Sequence, residues 1–125
     1  MDNQLKTALL KYETDLDGVK NRFMGDEELY SRCLSSFLQD PTMSDLEKAI
    51  NENSWEAAFT ATHALKGLAG NMGFVPLFHT ASELVVLIRT GRISEVGPSY
   101  SELKKNYSNI TNVIKKHHIS GENKK

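Results

Sequence analysis

The residues best suited to chemistry lie in one short stretch, FTATHALKGLAGNMG at positions 59–73. His63 carries an imidazole, and an unperturbed imidazole titrates near pH 6.5, so a ring nitrogen can act as a nucleophile at neutral pH. Lys66 and Gly67 follow it by three and four residues, the spacing of neighbours on one helix surface. Gly67 and Gly70 each cost a helix about 0.8–1.0 kcal/mol relative to alanine, so their presence needs an explanation.

A helical wheel separates this stretch into two faces. With Leu65 at zero and about 100° per residue, a buried stripe lies within about 60° of it and contains Ala58, Ala61, Leu68 and Met72. The opposite side, at about 100–200°, contains Lys66, Gly70, His63 and Gly67. The wheel therefore predicts an imidazole that points to solvent, on a helix face that the two glycines keep free of side chains. Such a face lets another protein reach the ring.

The alternative interpretation is that His63 is an ordinary polar surface residue. On that reading the glycines have no functional meaning and Lys66 is one more solvated charge. Helix geometry alone leaves both interpretations open.

The elements that position the stretch are helical along almost the whole chain. Apolar spacing indicates a short helix at residues 4–12, followed by an interruption, TDLDG, at 14–18. Four longer helical segments come next, at residues 26–52, 53–72, 76–91 and 98–117. The first bends at Pro41, and the second begins with a capping box from Asn53 to Glu56 and ends at Gly73. Short connections favour antiparallel neighbours. We therefore predict an all-α fold, an antiparallel up-down four-helix bundle with a short extra N-terminal helix. Residues 1–118 form a single domain and residues 119–125 a flexible polar tail.

Composition narrows the function classes. The 125 residues are 39% hydrophobic and 25% charged, with a formal net charge of −1, so the chain has no broad basic field for nucleic acid. It has no apolar run long enough to span a membrane. The N-terminus lacks a basic leader, and a lone cysteine, Cys33, fits a reducing compartment. We expect a cytoplasmic protein that binds neither nucleic acid nor membrane.

The motif His63-Ala64-Leu65-Lys66-Gly67, with Gly73 ten residues after the histidine, resembles the signature of histidine-containing phosphotransfer (HPt) domains, H-x-L-K-G-x(5)-G. The stretches GDEELYSRCLSSFL at 25–38 and ASELVVLIRTG at 81–91 also resemble helices of that family. The resemblance covers about residues 14–116.

The resemblance implies a function and roles for particular residues. The domain would be a phosphorelay intermediate without kinase activity: it accepts a phosphoryl group on His63 from a receiver-domain phospho-aspartate and passes it to another receiver aspartate. Lys66 would stabilise the phosphoryl charge. Its partners would be receiver domains of response regulators or hybrid histidine kinases, with the chain itself a monomer. No cofactor or metal is expected in this chain, and Mg²⁺ is expected in the partner receiver.

The expected docking surface surrounds His63. Its candidate residues are Phe59, Thr62, Gly67, Gly70 and Asn71. Phe59 has a second interpretation, in which it packs against the N-terminal helix. One departure from the family pattern is Val85, an apolar residue where many members carry a polar side chain that hydrogen-bonds the active ring. The orientation of the ring, and the lifetime of a phosphohistidine, would then depend on another group.

Two other function classes have different requirements. A metal-carrying bundle would need Glu-x-x-His pairs on facing helices, and the sequence contains none. A non-catalytic HPt-like module would bind receivers without turning over phosphate, and the presence of His63 argues against it. The sequence does not distinguish a free-standing shuttle from a segment of a hybrid kinase, and it does not identify the receivers.

Overall fold

The computed structural model describes residues 1–119, including the side chains of residues 1–117. Within this range the α-helices are α1 (Asn3–Lys11), α2 (Leu16–Arg22), α3 (Glu27–Gln39), α4 (Thr42–Asn51), α5 (Trp55–Met72), α6 (Val75–Arg89) and α7 (Val96–Ile114). A 3-10 turn, Ile93–Glu95, precedes α7, and a π-helical turn, Lys115–Ile119, follows it. The described residues contain no strand, only an isolated β-bridge between Thr14 and Phe74. Except for Ile119, the predicted polar tail lies outside the described residues.

The predicted all-α bundle is confirmed. Helix α5 packs against α4 and α6, α6 packs against α7, and the short α1 lies on α7. The four bundle elements are α3 with α4, then α5, α6 and α7. Their apolar stripes meet in one core, whose fully buried side chains include Leu34, Leu46, Leu65, Leu84, Leu103 and Ile114. Burial of a leucine side chain contributes about 1.5–3 kcal/mol, so this core supplies the main stabilisation.

The first bundle element is broken where Pro41 was expected to bend it. Asp40 adopts an extended conformation (φ −70°, ψ 130°), which the steric demand of a following proline favours. Its carboxylate accepts a hydrogen bond from the Thr42 backbone N–H at 2.8 Å, which satisfies a free donor at the start of α4. Two helices therefore replace one long helix.

The capping box predicted at Asn53 is wrong. Helix α5 starts one residue later, with Ser54 at its N-cap and no side-chain capping bond, so Glu56 occupies the second helical position instead of the third. Asn53 instead has a left-handed backbone (φ 54°) and ends the turn that leaves α4. Asparagine tolerates this conformation better than most residues, which explains its place there.

Helix α2 was missed, because the sequence TDLDG looked like an interruption. Asp15 is in fact an N-cap: its carboxylate accepts a hydrogen bond from Gly18 N–H at 3.0 Å. The Asp15 backbone N–H donates to the Gly73 carbonyl at 2.8 Å. These bonds dock the start of α2 against the C-terminal end of α5.

Gly73 ends α5 as predicted, in the left-handed conformation (φ 79°). A Cβ at this position would lie 2.7 Å from Val19 Cγ2 and 3.0 Å from the Asp15 carbonyl oxygen, so the contact with α2 also requires glycine.

We expect Gly73→Ala to lower the free energy of unfolding by about 1–3 kcal/mol from the strained backbone alone. The steric contacts with α2 add to this loss. Gly67→Ala is the matched control, because Gly67 is helical and a Cβ there meets no atom within 4 Å. It should raise stability by up to about 1 kcal/mol. Urea denaturation of both variants checks the pair, and equal stabilities would contradict this account of α5.

Candidate functional site

His63 lies in the middle of α5 with an exposed side chain, as the wheel predicted. Within residues 1–119 its ring nitrogens have no hydrogen-bond partner. The imidazole is therefore open to a reacting group on another molecule.

The contact that orients the ring comes from Phe59, one turn earlier on the same helix. The two rings are stacked, with centroids 6.1 Å apart and planes at 26°. Phe59 is half-buried and packs against the core, so it is less exposed than the wheel indicated. Part of the ring packs inward against the core and part lies against the imidazole, while a contact between Phe59 and a partner stays a prediction. Val85 is buried and apolar and offers the ring no hydrogen bond.

Lys66 lies one turn after His63 and is half-buried. Its ammonium nitrogen is 5.8 Å from the centroid of the Phe78 ring, which approaches from α6. Among the described residues no carboxylate lies within ion-pair distance of it. The charge on Lys66 is consequently available to an anion placed near His63.

Glycine occupies positions 67 and 70 of this face for different structural reasons. A Cβ at Gly67 would meet nothing within 4 Å, so this glycine leaves open space above His63, as predicted. A Cβ at Gly70 would lie 3.2 Å from two atoms of the Phe78 ring. Gly70 therefore makes room for the Phe78 ring, so the prediction that it keeps the face free of side chains is wrong at this position.

Thr62 does not belong to the exposed face. Its side chain is fully buried, and its hydroxyl donates a hydrogen bond to the Ala58 carbonyl at 2.6 Å. The prediction of a partner contact there is wrong. Thr62 lies about 60° from Leu65 on the wheel, within the buried stripe. Ala69 is also buried in this stripe, whereas Leu68 is only half-buried.

Asn71 is exposed near the end of α5, and its backbone carbonyl has a partner that the sequence analysis missed. Arg22, the last residue of α2, donates from Nε to this oxygen at 3.0 Å. The hydroxyl of the buried Tyr30 donates to the next carbonyl, that of Met72, at 2.8 Å. Burial raises the pKa of Tyr30, which keeps its hydroxyl protonated as a donor at physiological pH. No local pattern could reveal Arg22, because its place depends on how α2 docks.

These side chains surround one shallow depression on the surface. It is lined by Arg22, His63, Lys66, Gly67, Gly70, Asn71 and Phe78. The structure thus brings together all the predicted site residues except Thr62, which is buried, and Phe59, which borders the site through its contact with His63. The depression is cationic on two sides, and the edge of the Phe78 ring gives it an apolar part.

Other kinds of site receive no support within residues 1–119. No group of three or more histidine, cysteine, aspartate or glutamate side chains there is arranged to hold a metal ion. Among the described helices, none combines the length and apolar composition that crossing a bilayer requires.

Comparison with protein families gives a match to the Hpt domain over residues 34–112, more than half of the chain. The chain therefore belongs to the Hpt domain family. It is a histidine-containing phosphotransfer module of two-component signalling, a class of phosphocarriers rather than kinases whose members interact with receiver domains in phosphorelays. Comparison with curated proteins and with solved structures found no match.

Proposed function

We propose that His63 is the phosphoryl acceptor of a phosphorelay, loaded by a receiver-domain phospho-aspartate and unloaded onto the aspartate of another receiver. The observation that carries the proposal is the exposed imidazole of His63, beside open space at Gly67 and a Lys66 ammonium that pairs with no carboxylate among the described residues. His79 also lies in the family match and is exposed, but it has no such surroundings. A cytoplasmic location is part of this proposal.

The reaction needs little from the chain beyond position and charge. A lone pair on a neutral ring nitrogen attacks phosphorus, the P–O bond of the aspartyl phosphate breaks, and the carboxylate leaves with the bonding electrons. The new P–N bond forms as the old bond weakens, with the attacking and leaving atoms in line. Mg²⁺ held by the receiver would neutralise charge on the phosphoryl oxygens, and Lys66 would add a positive charge from the opposite side.

Docking would take place on the exposed face of α5 that carries His63. Gly67 gives the receiver clearance, Asn71 lies two turns beyond His63, and Phe59 holds the imidazole in place. Gly70 acts indirectly in this scheme, because it allows Phe78 to support Lys66.

We expect Lys66→Ala to slow phosphoryl transfer about 10- to 100-fold, because the lost charge is aimed at the transferring oxygens. The helix should stay folded, since alanine is the best helix former. Rapid-quench measurements with a phosphorylated receiver would give the rate. Lys105→Ala, which removes an exposed lysine of α7, is the control. Equal transfer rates for wild type and Lys66→Ala would exclude this role for the lysine.

The experiment that tests the function uses a panel of receiver domains. Each receiver is phosphorylated with a small acyl phosphate, and the excess reagent is then removed. Mixed with the chain, at least one receiver should lose its phosphoryl group while the chain gains up to one per molecule. The loaded chain should then phosphorylate a second receiver. Receivers that bind the chain without moving phosphate would instead identify a non-catalytic binding module.

A further inference from the structure

We propose that Arg22 is a second cation of the receiver-docking surface. It would contact an acidic side chain on the part of the receiver that faces the C-terminal end of α5, away from the receiver's phosphorylated aspartate. This inference rests on the proposed function of His63. It adds a residue from α2, outside both the HPt motif and the matched range 34–112.

The position of Arg22 is fixed by the docking of α2. Its Nε bond to the Asn71 carbonyl holds the guanidinium at the C-terminal end of α5. Asn71 lies eight positions after His63, which is about 12 Å along a helix. The guanidinium therefore lies too far along the helix to assist at the phosphorus atom, but within the footprint of a docked domain.

Part of the guanidinium remains available to a partner. Only Nε is used in the bond to Asn71, and the side chain is exposed. Among the described residues no carboxylate forms an ion pair with it. A guanidinium binds a carboxylate through two parallel N–H groups, so the remaining nitrogens suit an acidic side chain.

The surroundings favour an acidic partner. Arg22 lines the same depression as His63 and Lys66, so two cationic side chains border it. The Asp15 carboxylate approaches the guanidinium on the side of Gly18, beyond ion-pair distance. Met24, two residues later, is 92% exposed and adds apolar surface at the end of α2. An acidic side chain on the receiver surface that borders Arg22 would be complementary to it in charge.

A purely structural role is the rival explanation. Carbonyls at the end of a helix lack intrahelical partners, and a cation there interacts favourably with the helix dipole. Tyr30 performs the same capping at Met72 without a charge. The pair therefore permits an experiment that separates capping from docking.

The experiment measures single-turnover transfer from the phosphorylated receiver that loads the wild-type chain fastest. KM is the half-saturating concentration of the chain, kcat is the limiting rate constant at saturation, and both are followed against salt. Arg22→Ala should raise KM roughly two- to fivefold with little change in kcat, as expected for an exposed charge at an interface. The rise of KM between about 0.05 and about 0.3 M NaCl should also become smaller. Arg22→Lys should keep most of the salt dependence. The rate of phosphohistidine hydrolysis should not change.

Two controls accompany these variants. Arg32→Ala removes an exposed arginine of α3 that pairs with Glu28, and KM should stay at the wild-type value. Tyr30→Phe removes the neighbouring carbonyl bond and should lower stability while leaving KM unchanged.

Unchanged KM and salt dependence in Arg22→Ala would overturn the inference, as would an equal rise of KM in Tyr30→Phe. Either result leaves the function of His63 intact as long as the wild-type chain is loaded. Failure of every receiver to load the wild type would instead contradict the proposed function.

Discussion

Replacing His63 with glutamine is expected to reduce phosphoryl labelling of the chain to background. Glutamine has no nitrogen lone pair of comparable nucleophilicity, so no P–N bond can form. The substitution is on the exposed face of α5, and such changes usually alter stability by less than about 0.5 kcal/mol. The loss should therefore appear with an unchanged helical circular dichroism spectrum.

His79→Gln is the matched control for this variant. His79 is exposed on α6 within the same matched range, and its ring forms a T-shaped pair with the Phe78 ring at a centroid distance of 5.9 Å. Labelling should persist in His79→Gln. If labelling is lost in His79→Gln and retained in His63→Gln, the phosphoryl acceptor is His79 and the assignment to His63 is wrong.

Gly67→Gln is expected to block loading almost completely while leaving the bundle folded. The glutamine side chain would fill the open space above His63, and glutamine is a better helix former than glycine. A more stable protein with a large loss of transfer is a combination that misfolding cannot produce. Receiver binding by calorimetry and transfer by rapid quench would show both effects.

The control for Gly67→Gln is Gly97→Gln. Gly97 is also helical and exposed with no atom within 4 Å of a built Cβ, but it lies at the start of α7. Transfer by this variant should match wild type. Normal receiver affinity in Gly67→Gln would mean that clearance at Gly67 has no part in docking.

The sequence was sufficient to predict the helical bundle and the exposure of His63, because both follow from helical periodicity alone. Leu65 and Met72 lie on the buried stripe, and His63 lies almost opposite. The C-terminal end of α5 could also be predicted, since glycine commonly ends helices and Gly73 occupies that position. Thr62 was misassigned although the same wheel places it near the buried side.

What could not be predicted depends on contacts between elements. The reason for Gly70 is the ring of Phe78, which arrives from another helix. The place of Arg22 follows from the docking of α2 on the end of α5, and α2 itself was hidden in a segment that looked like a break. Phe59 is a different case, because its stacking on His63 lies within α5, at the i, i+4 spacing that the sequence itself contains.

The most direct test of the account is to locate the phosphoryl group on the loaded chain. The chain is loaded by a phosphorylated receiver, digested at alkaline pH, and its peptides are analysed by mass spectrometry with a fragmentation method that preserves P–N bonds. We predict one phosphoryl group, on His63, that survives alkali and is lost in acid. A phosphoryl group on any other residue, or a chain that stays unmodified while the receiver loses its phosphate, would contradict the account.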